Sequence, residues 1–280
     1  MKALPLLAQI SSAQIIAGFA FSVLITLISY KIRAVNKSGA VGVVIVGTTI
    51  FGLGGPIFSI PLLFFYISSS IFSFFKTPGK IRSLEISEKT GARDFRQVMA
   101  NGGVGTALTL VYFITGDVIW FFPYLAGLCE AAADTWSTEL GTLYPDSPVS
   151  ILTFKSVDPG QSGGVTILGT MAAGAGALTT MLAAATGGFL VKELLLFDMK
   201  IWLMTAACGL AGSLLDSALG ASLQAQYRCG NCHRITERPI HCEKPTDLFR
   251  GIRCMNNDAV NLTCTAFSSF VAAITFHFAA

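Results

Sequence analysis

The chain has 280 residues, of which 52% are hydrophobic and 12% charged, with a formal net charge of +3. Soluble domains carry about 25% charged residues, and here no charge stands in residues 38–75, 97–116, 159–191, 201–215 or 259–280. That pattern excludes a solvated globule. The small positive balance does not indicate nucleic acid as a partner, because the basic residues have a topological explanation.

A membrane span needs about 20 predominantly apolar residues. Eight are predicted, over residues 10–30, 39–55, 57–75, 98–115, 117–135, 164–187, 200–222 and 258–278. The first is kept as a span: its apolar stretch is too long for a signal-peptide core, and no small-x-small cleavage site follows. The 39–75 run is too long for one helix, and "GLGGPIF" breaks it at Gly54, Gly55 and Pro56 into a tight helical hairpin. The expected fold is therefore all-α, a polytopic helical membrane protein of about eight transmembrane helices, one integral membrane domain over residues 1–280 with a long loop at 223–257.

Lys and Arg set the orientation. With the first residue outside, the inner loops are about 31–38, 76–97, 136–163 and 217–257, and they hold sixteen of the nineteen basic residues. Lys2, Lys192 and Lys200 remain outside. The positive-inside rule favours this arrangement, with both termini outside and the loops in the cytoplasm.

Most polar motifs then fall on the inner face, which points to one site that a soluble, charged co-substrate can reach. Asn101, Gly102 and Gly103 in "NGGVG" (101–105) are expected to form a glycine turn at a helix N-terminus, preceded by Arg93 and Arg96, whose guanidiniums could grip phosphate. Inner-face anchoring explains the same two arginines equally well.

"CEAAADTWSTELG" (129–141) ends the fifth span with three acids, Glu130, Asp134 and Glu139. Glu130 and Asp134 are four apart and share a helix face, where like charges repel. A helix C-terminus also disfavours anions, and ionisable residues in lipid are functional by default. A divalent cation would offset these costs, with Asp216 and Asp258 as partners from other helices. Oxygen ligands of this kind suit Mg²⁺. In the plainer alternative, Asp134 caps a short helix and Glu139 sits in solvent.

"KSVDPGQSGG" (155–164) supplies Lys155, a counter-ion for phosphate, and the loop Pro159, Gly160, Ser162, Gly163 and Gly164, whose backbone N–H groups could approach an anion. It lacks the P-loop pattern, and an ordinary turn explains it too. The run 169–188 is rich in small residues and suits close helix packing. "LLDSALGASLQ" (214–224) repeats the Asp, hydroxyl and Gly of "ADTWSTELG", either as a duplication, as two facing metal-binding helices, or as ordinary small-residue helix ends. "NNDAVN" (256–261) opens the last span with Asp258 and Asn261.

The loop "CGNCHRITERPIHC" (229–242) matches the CxxCH of c-type haem attachment, but it carries the inner-face charge, so no haem is expected. Cys229, Cys232 and Cys242 with one histidine, His241 being the candidate fourth ligand, would suit tetrahedral Zn²⁺. Reduced free thiols are the alternative. The other four cysteines, Cys129, Cys208, Cys254 and Cys264, read as core or interfacial residues.

The blocks "RQVMANGG", "ADTWSTELG", "VDPGQSGGVTILGT", "LLDSALGASLQ" and "NDAVNL" resemble the transmembrane protein 19-like family (domain of unknown function 92), over about Gly39 to Phe278. That family includes the plant phytyl-phosphate kinase. The resemblance implies phosphorylation of a prenyl monophosphate by a nucleoside triphosphate, CTP or ATP, in the cell membrane. The Asp-hydroxyl-Gly and Pro-Gly-x-x-Gly-Gly blocks are more distantly similar to dolichol kinase and phosphatidate cytidylyltransferase, which use CTP and Mg²⁺. On that reading Asp134 holds metal with Asp216 or Asp258, Lys155 and residues 160–164 hold nucleotide phosphates, and Asn101 and Asn261 position the substrate phosphate. The competing functions are a lipid cytidylyltransferase or prenol kinase, and a lipid or solute transporter. The last is disfavoured, because transporters carry their charges near the midplane, and these acids gather at one face.

Overall fold

A computed structural model of the chain describes residues 11–75, 77–89, 91–143, 147–188 and 198–279. Lys2, Lys76 and Lys192, counted in the charge argument, lie outside the described residues. The helices are α1 (Ser12–Lys31), α2 (Lys37–Thr49), α3 (Gly55–Ser73), α4 (Pro78–Ile86), α5 (Phe95–Thr115), α6 (Phe121–Gly141), α7 (Ile167–Gly188), α8 (Met199–Ser222) and α9 (Asn257–Ala279). A helix therefore stands at each of the eight predicted spans. Six segments among the described residues are long and apolar enough to cross a membrane, so the protein is a polytopic helical membrane protein.

Local chemistry sets the helix starts. Ser11 and Asn36 cap α1 and α2 by accepting the N–H groups of Gln14 and Gly39. Asp94 and Gln97 form a reciprocal capping box on α5, and Gly116 ends that helix with φ 68°.

The 37–73 segment is one continuous apolar stretch, yet it reverses direction. A straight helix of that length would reach about 55 Å, against a hydrocarbon core of about 30 Å. A π-helical segment (Ile50–Gly54) ends at Gly55, whose φ of 65° turns the chain ahead of Pro56. Both outer ends return to one face: the Asn36 N–H donates to Arg93 O, and Arg93 Nη1 donates to Ser70 Oγ. The two arms part rather than forming the tight hairpin expected. α2 packs on α1 and α5, and α3 packs on α6 and α7.

α6 is the axis of the bundle. Every residue from Phe121 to Ala133 is buried, under α3, α5, α7, α8 and α9. It carries Glu130, Asp134 and Glu139 and is not among the six apolar segments. Around its start, Phe58, Phe121, Phe122, Tyr124, Trp202 and Phe276 fill one half of the bundle with rings in edge and tilted contact, and Tyr124 Oη donates to Phe58 O at 2.6 Å.

The loops gather at the other end, where two elements appear that periodicity did not announce. One is α4, capped by Thr77. The other is a small β layer in the 223–257 loop: β3 (Gln226–Arg228), β4 (Ile235–Thr236), β5 (Ile240–His241), β6 (Lys244–Pro245) and β7 (Asp247–Arg250), with β4-β3-β7 in one antiparallel sheet and β5-β6 in a hairpin. A further pair, β1 (Val149–Ser150) and β2 (Gly164–Val165), brackets the glycine loop.

Candidate functional site

Beneath the loops lies a cavity of about 1100 Å³. α6 and α8 form its floor. Both Asp134 and Asp216 line it, so the two similar Asp-bearing helix ends do face one site. α8 reaches α6 through glycines. A Cβ on Gly209 would sit 2.4 Å from Cys129 Cβ, and one on Gly212 would sit 2.7 Å from Glu130 Cγ. This close approach puts a carboxylate oxygen of Glu130, one of Asp216 and Cys264 Sγ within 4.8 Å of one another. The three carboxylates of Glu130, Asp134 and Asp216 are close enough to act on each other.

Glu130 is 1% exposed, and neither of its carboxylate oxygens has a hydrogen-bond partner. A buried acid in that state costs several kcal/mol unless a cation or proton joins it, roughly 2–7 kcal/mol for an unpaired polar group. Asp134 and Asp216 line the cavity and Glu130 is buried beside Asp216; carboxylate oxygens of this kind fit a divalent cation such as Mg²⁺.

The other acids are occupied. Glu139 lines the cavity but is ion-paired with Lys80 of α4 and accepts from Ser73 Oγ at 2.8 Å. Asp258, in the first turn of α9, pairs with Lys89, which also reaches Asp94 at 2.8 Å. Burial pulls the Lys89 ammonium down, but Asp258 and Asp94 outweigh it and raise it above its ordinary value. Burial pushes the Asp94 carboxyl up, yet Lys89 and the N–H groups of Gln97 and Arg96 hold it below the usual range. Both acids, expected as metal ligands, are thus paired with lysines here. Asn261 serves Asp216 instead: with its amide nitrogen turned toward the acid, it donates to Asp216 Oδ2 at 3.2 Å and to Asn257 O at 3.0 Å.

Pro159, Gly160, Ser162, Gly163 and Gly164 all line the cavity, as expected of the glycine loop. Two glycines are required by packing. Gly160 (φ 90°) would place a Cβ 2.4 Å from Ser83 Cα of α4, and Gly163 (φ 80°) would place one 2.4 Å from Ala221 N of α8. The loop does not run straight into a helix. α7 begins after β2, where Thr166 Oγ1 accepts the Gly169 N–H at 3.0 Å, and Thr166, Gly169 and Thr170 face the cavity.

Four expectations change. Lys155 is exposed and absent from the cavity lining, because the turn after β1 carries the chain outward through Phe154 at φ 54°. Arg96 is likewise exposed and outside the lining. Asn101, Gly102 and Gly103 do not form a turn at a helix start. They lie inside α5, two turns past its Asp94 cap, and Gly102 receives Val46 of α2. Asn101 borders Asn261 and not the cavity. Arg93 does line the cavity, and its guanidinium is held by Ser70 and lies 5.9 Å over the Tyr66 ring.

The residues that reasoning from the sequence missed are Lys80, Lys89 and Glu237. The two lysines looked like inner-face anchors. Glu237 had no motif around it, yet it ties the β layer to the cavity: its Oε1 accepts from Ser162 Oγ at 2.6 Å and Gln224 Nε2 at 2.8 Å, and Oε2 accepts from the Glu88 N–H at 3.3 Å. Burial pushes its carboxyl above the ordinary glutamate value, against these donors.

Comparison with known proteins adds a lineage. The family model for "Integral membrane protein DUF92" matches residues 20–269. Protein PGR of Arabidopsis thaliana is 28% identical over 93% of this chain and 96% of its own length. The uncharacterized membrane protein MJ0933 of Methanocaldococcus jannaschii is 31% identical over 75% and 83%. The chloroplastic protein VTE6 of Arabidopsis thaliana is 25% identical over 66% of this chain and 48% of its own length. No solved structure gives a significant match.

Proposed function

The chain belongs to the DUF92 family of integral membrane proteins, and from that premise we propose that it is a prenyl-phosphate kinase-like enzyme of the cell membrane. It transfers the γ-phosphoryl group of CTP or ATP to a prenyl monophosphate at the cytoplasmic face. The observation that carries this reading is the meeting, at one cavity, of two acids backed by the unpartnered Glu130 with cations and a glycine loop. Asp134 and Asp216 line the cavity, with Glu130 buried beside Asp216, and Lys80, Lys89, Arg93 and Gly160–Gly164 line the same cavity.

Phosphoryl transfer asks for position and charge compensation more than covalent chemistry. An oxygen of the prenyl phosphate forms the new bond to the γ-phosphorus. The bond from that phosphorus to its bridging oxygen breaks, and a nucleoside diphosphate leaves. The acceptor is already anionic near neutral pH, so no general base is needed. Mg²⁺ held by Asp134 and Asp216, with Glu130 beneath them, would neutralise phosphate charge as it develops. Arg93 offers a planar fork to one phosphate, fixed in place by Ser70. The Gly160–Gly164 backbone can approach another closely, without an intervening side chain. Asn261 steadies Asp216.

One-sidedness also supports chemistry over transport. The acids lie at the loop end of α6, and rings fill the other half of the bundle. The test is turnover by the detergent-purified chain with Mg²⁺, CTP or ATP, and a panel of prenols, prenyl phosphates and phosphatidate. Prenyl diphosphate formed from the monophosphate is the expected product. A CDP-lipid or a prenyl monophosphate product would replace the kinase reading with a cytidylyltransferase or a prenol kinase, and no turnover of any would remove the enzyme reading.

A further inference from the structure

Away from the acid cluster, the β layer gathers four soft ligands. Cys229, Cys232, His241 and Cys242 place one ligand atom each within 4.8 Å of one another. They come from two tight turns. In the first, between β3 and β4, the His233 N–H donates to Cys229 O, the Cys229 N–H donates to Arg234 O, and His233 adopts φ 58°. In the second, Cys242 (φ 51°) and Glu243 (φ 59°) form the two-residue turn of the β5–β6 hairpin, with His241 opposite Lys244.

A turn of that kind ordinarily takes Asn-Gly. Left-handed backbone at non-glycine residues persists where something else holds it, and it gathers at ligand clamps. The spacing fits one ion. Tetrahedral Zn²⁺, with arms of about 2.3 Å to sulfur and about 2.0–2.1 Å to nitrogen, sets sulfur–nitrogen edges of roughly 3.5 Å. Cys232 Sγ and Cys242 Sγ lie 3.5 and 3.3 Å from His241 Nδ1.

We propose that Cys229, Cys232, His241 and Cys242 bind one Zn²⁺, and that this ion clasps the β layer so that Glu237 holds the glycine loop over the cavity. Glu237 lies in the segment that the four ligands enclose, between Cys232 and His241. Its neighbours fasten that segment to α4: Thr236 Oγ1 and the Glu237 N–H both donate to Ile86 O, and Arg238 Nε donates to Ser87 O. Ser162 reaches the same carboxylate from the glycine loop. The metal therefore sits at the far end of a rigid link whose near end is the cavity wall.

Metal content and backbone exchange test this, and neither needs turnover, so the outcome is separate from that of the kinase reading. The full chain, purified in detergent after mild chelation of loose metal, should retain about one zinc per chain. Its Co²⁺-substituted form should show thiolate-to-metal charge-transfer absorption. Cys232→Ser and Cys242→Ser should lose the ion, while His233→Asn should keep it. Stripping the wild type with a strong chelator should speed amide exchange at both 162–164 and 236–238. Absence of zinc and of the cobalt spectrum in the wild type would overturn the site, as would a disulfide among these cysteines or full zinc retention by Cys232→Ser. Loss of zinc with unchanged exchange at 162–164 would overturn the clasp. The wild-type measurements stand even where a serine variant fails to fold.

Discussion

Ser162 donates to the Glu237 carboxylate at 2.6 Å across 75 residues of sequence. It joins the glycine loop to the β layer, and both rest on α4, through Gly160 against Ser83 and through Thr236 and Glu237 against Ile86. The wall of the cavity is thus one connected unit, assembled from three loops.

The first prediction concerns Glu237 and pH. Burial raises its carboxyl in the folded chain. A raised acid favours folding below its unfolded value, near 4.5, and that advantage is lost as pH rises through the folded value. Glu237→Gln keeps an acceptor for Ser162 without the charge. Its unfolding temperature in detergent should exceed wild type at pH 8 and match it at pH 4. Equal values at both would show that the carboxylate is not penalised.

The second concerns Lys89. Its ammonium is raised above the ordinary lysine value of 10.5 and the Asp94 carboxyl is lowered below the ordinary aspartate value of 3.8, so the Lys89–Asp94 pair is at full strength between those two ordinary values. Its stability is lost below that window as Asp94 protonates and above it as Lys89 deprotonates. Lys89→Met leaves Asp258 buried without its partner. We expect a loss of about 1–3 kcal/mol, scaled down from a fully buried pair because Lys89 is partly exposed. Adding Asp258→Asn should recover part of it, as read from a double-mutant cycle of thermal unfolding.

The third concerns the acid cluster. Mg²⁺ at about 100 times its dissociation constant should stabilise the wild type by about 2.7 kcal/mol. Asp216→Asn or Asp134→Asn should abolish that gain and lower turnover at least 100-fold, about 2.7 kcal/mol of transition-state stabilisation. Glu130→Gln should make the metal-free protein more stable. An undiminished Mg²⁺ shift in Asp216→Asn would remove Asp216 from the cation site.

The fourth sets packing against charge. Gly209→Ala drives a methyl into Cys129 and the Glu130 backbone, and should cost about 1–3 kcal/mol by overpacking while impairing Mg²⁺ binding. Lys155→Ala and Arg96→Ala, both outside the cavity, should leave turnover within about twofold of wild type, an effect below about 0.5 kcal/mol. A large loss in Lys155→Ala would return that lysine to the phosphate site.

These outcomes track what the sequence could reveal. Most of the spans were legible because charge-free runs leave no other solution in water; α6, with Glu130 and Asp134 in it, is the exception. The convergence of acids and glycine loop was legible because Lys and Arg orient the loops. The cysteine cluster followed from ligand spacing. The "NGG" turn failed because Asp94 caps α5 two turns earlier, and a capping box that opens eight residues upstream of Gly102 could have shown it. Lys155 failed because a single cation beside a glycine loop carries no information on which way its side chain faces. Lys80 and Lys89 were indistinguishable from topological anchors until Glu139, Asp94 and Asp258 stood beside them. α4 and the strands lie in short polar stretches where contacts, not periodicity, decide the backbone.

The enclosure of α6 also bears on how the protein is made. Phe121–Ala133 is surrounded by other helices, so this helix has no face suited to lipid. An Asp or Lys at the centre of an isolated helix costs about 2.5–3.5 kcal/mol to insert, and α6 carries Glu130 and Asp134 on one face. α6 should therefore cross poorly by itself and depend on neighbours already in the bilayer, above all α3 and α5, which precede it in synthesis. A glycosylation-tag assay of truncated chains would read this: α6 with α1–α5 should insert efficiently, and α6 in an unrelated host should not. Biogenesis of the site is in this sense assisted by the order of the chain, with the acids buried last and closed over by α7, α8 and α9.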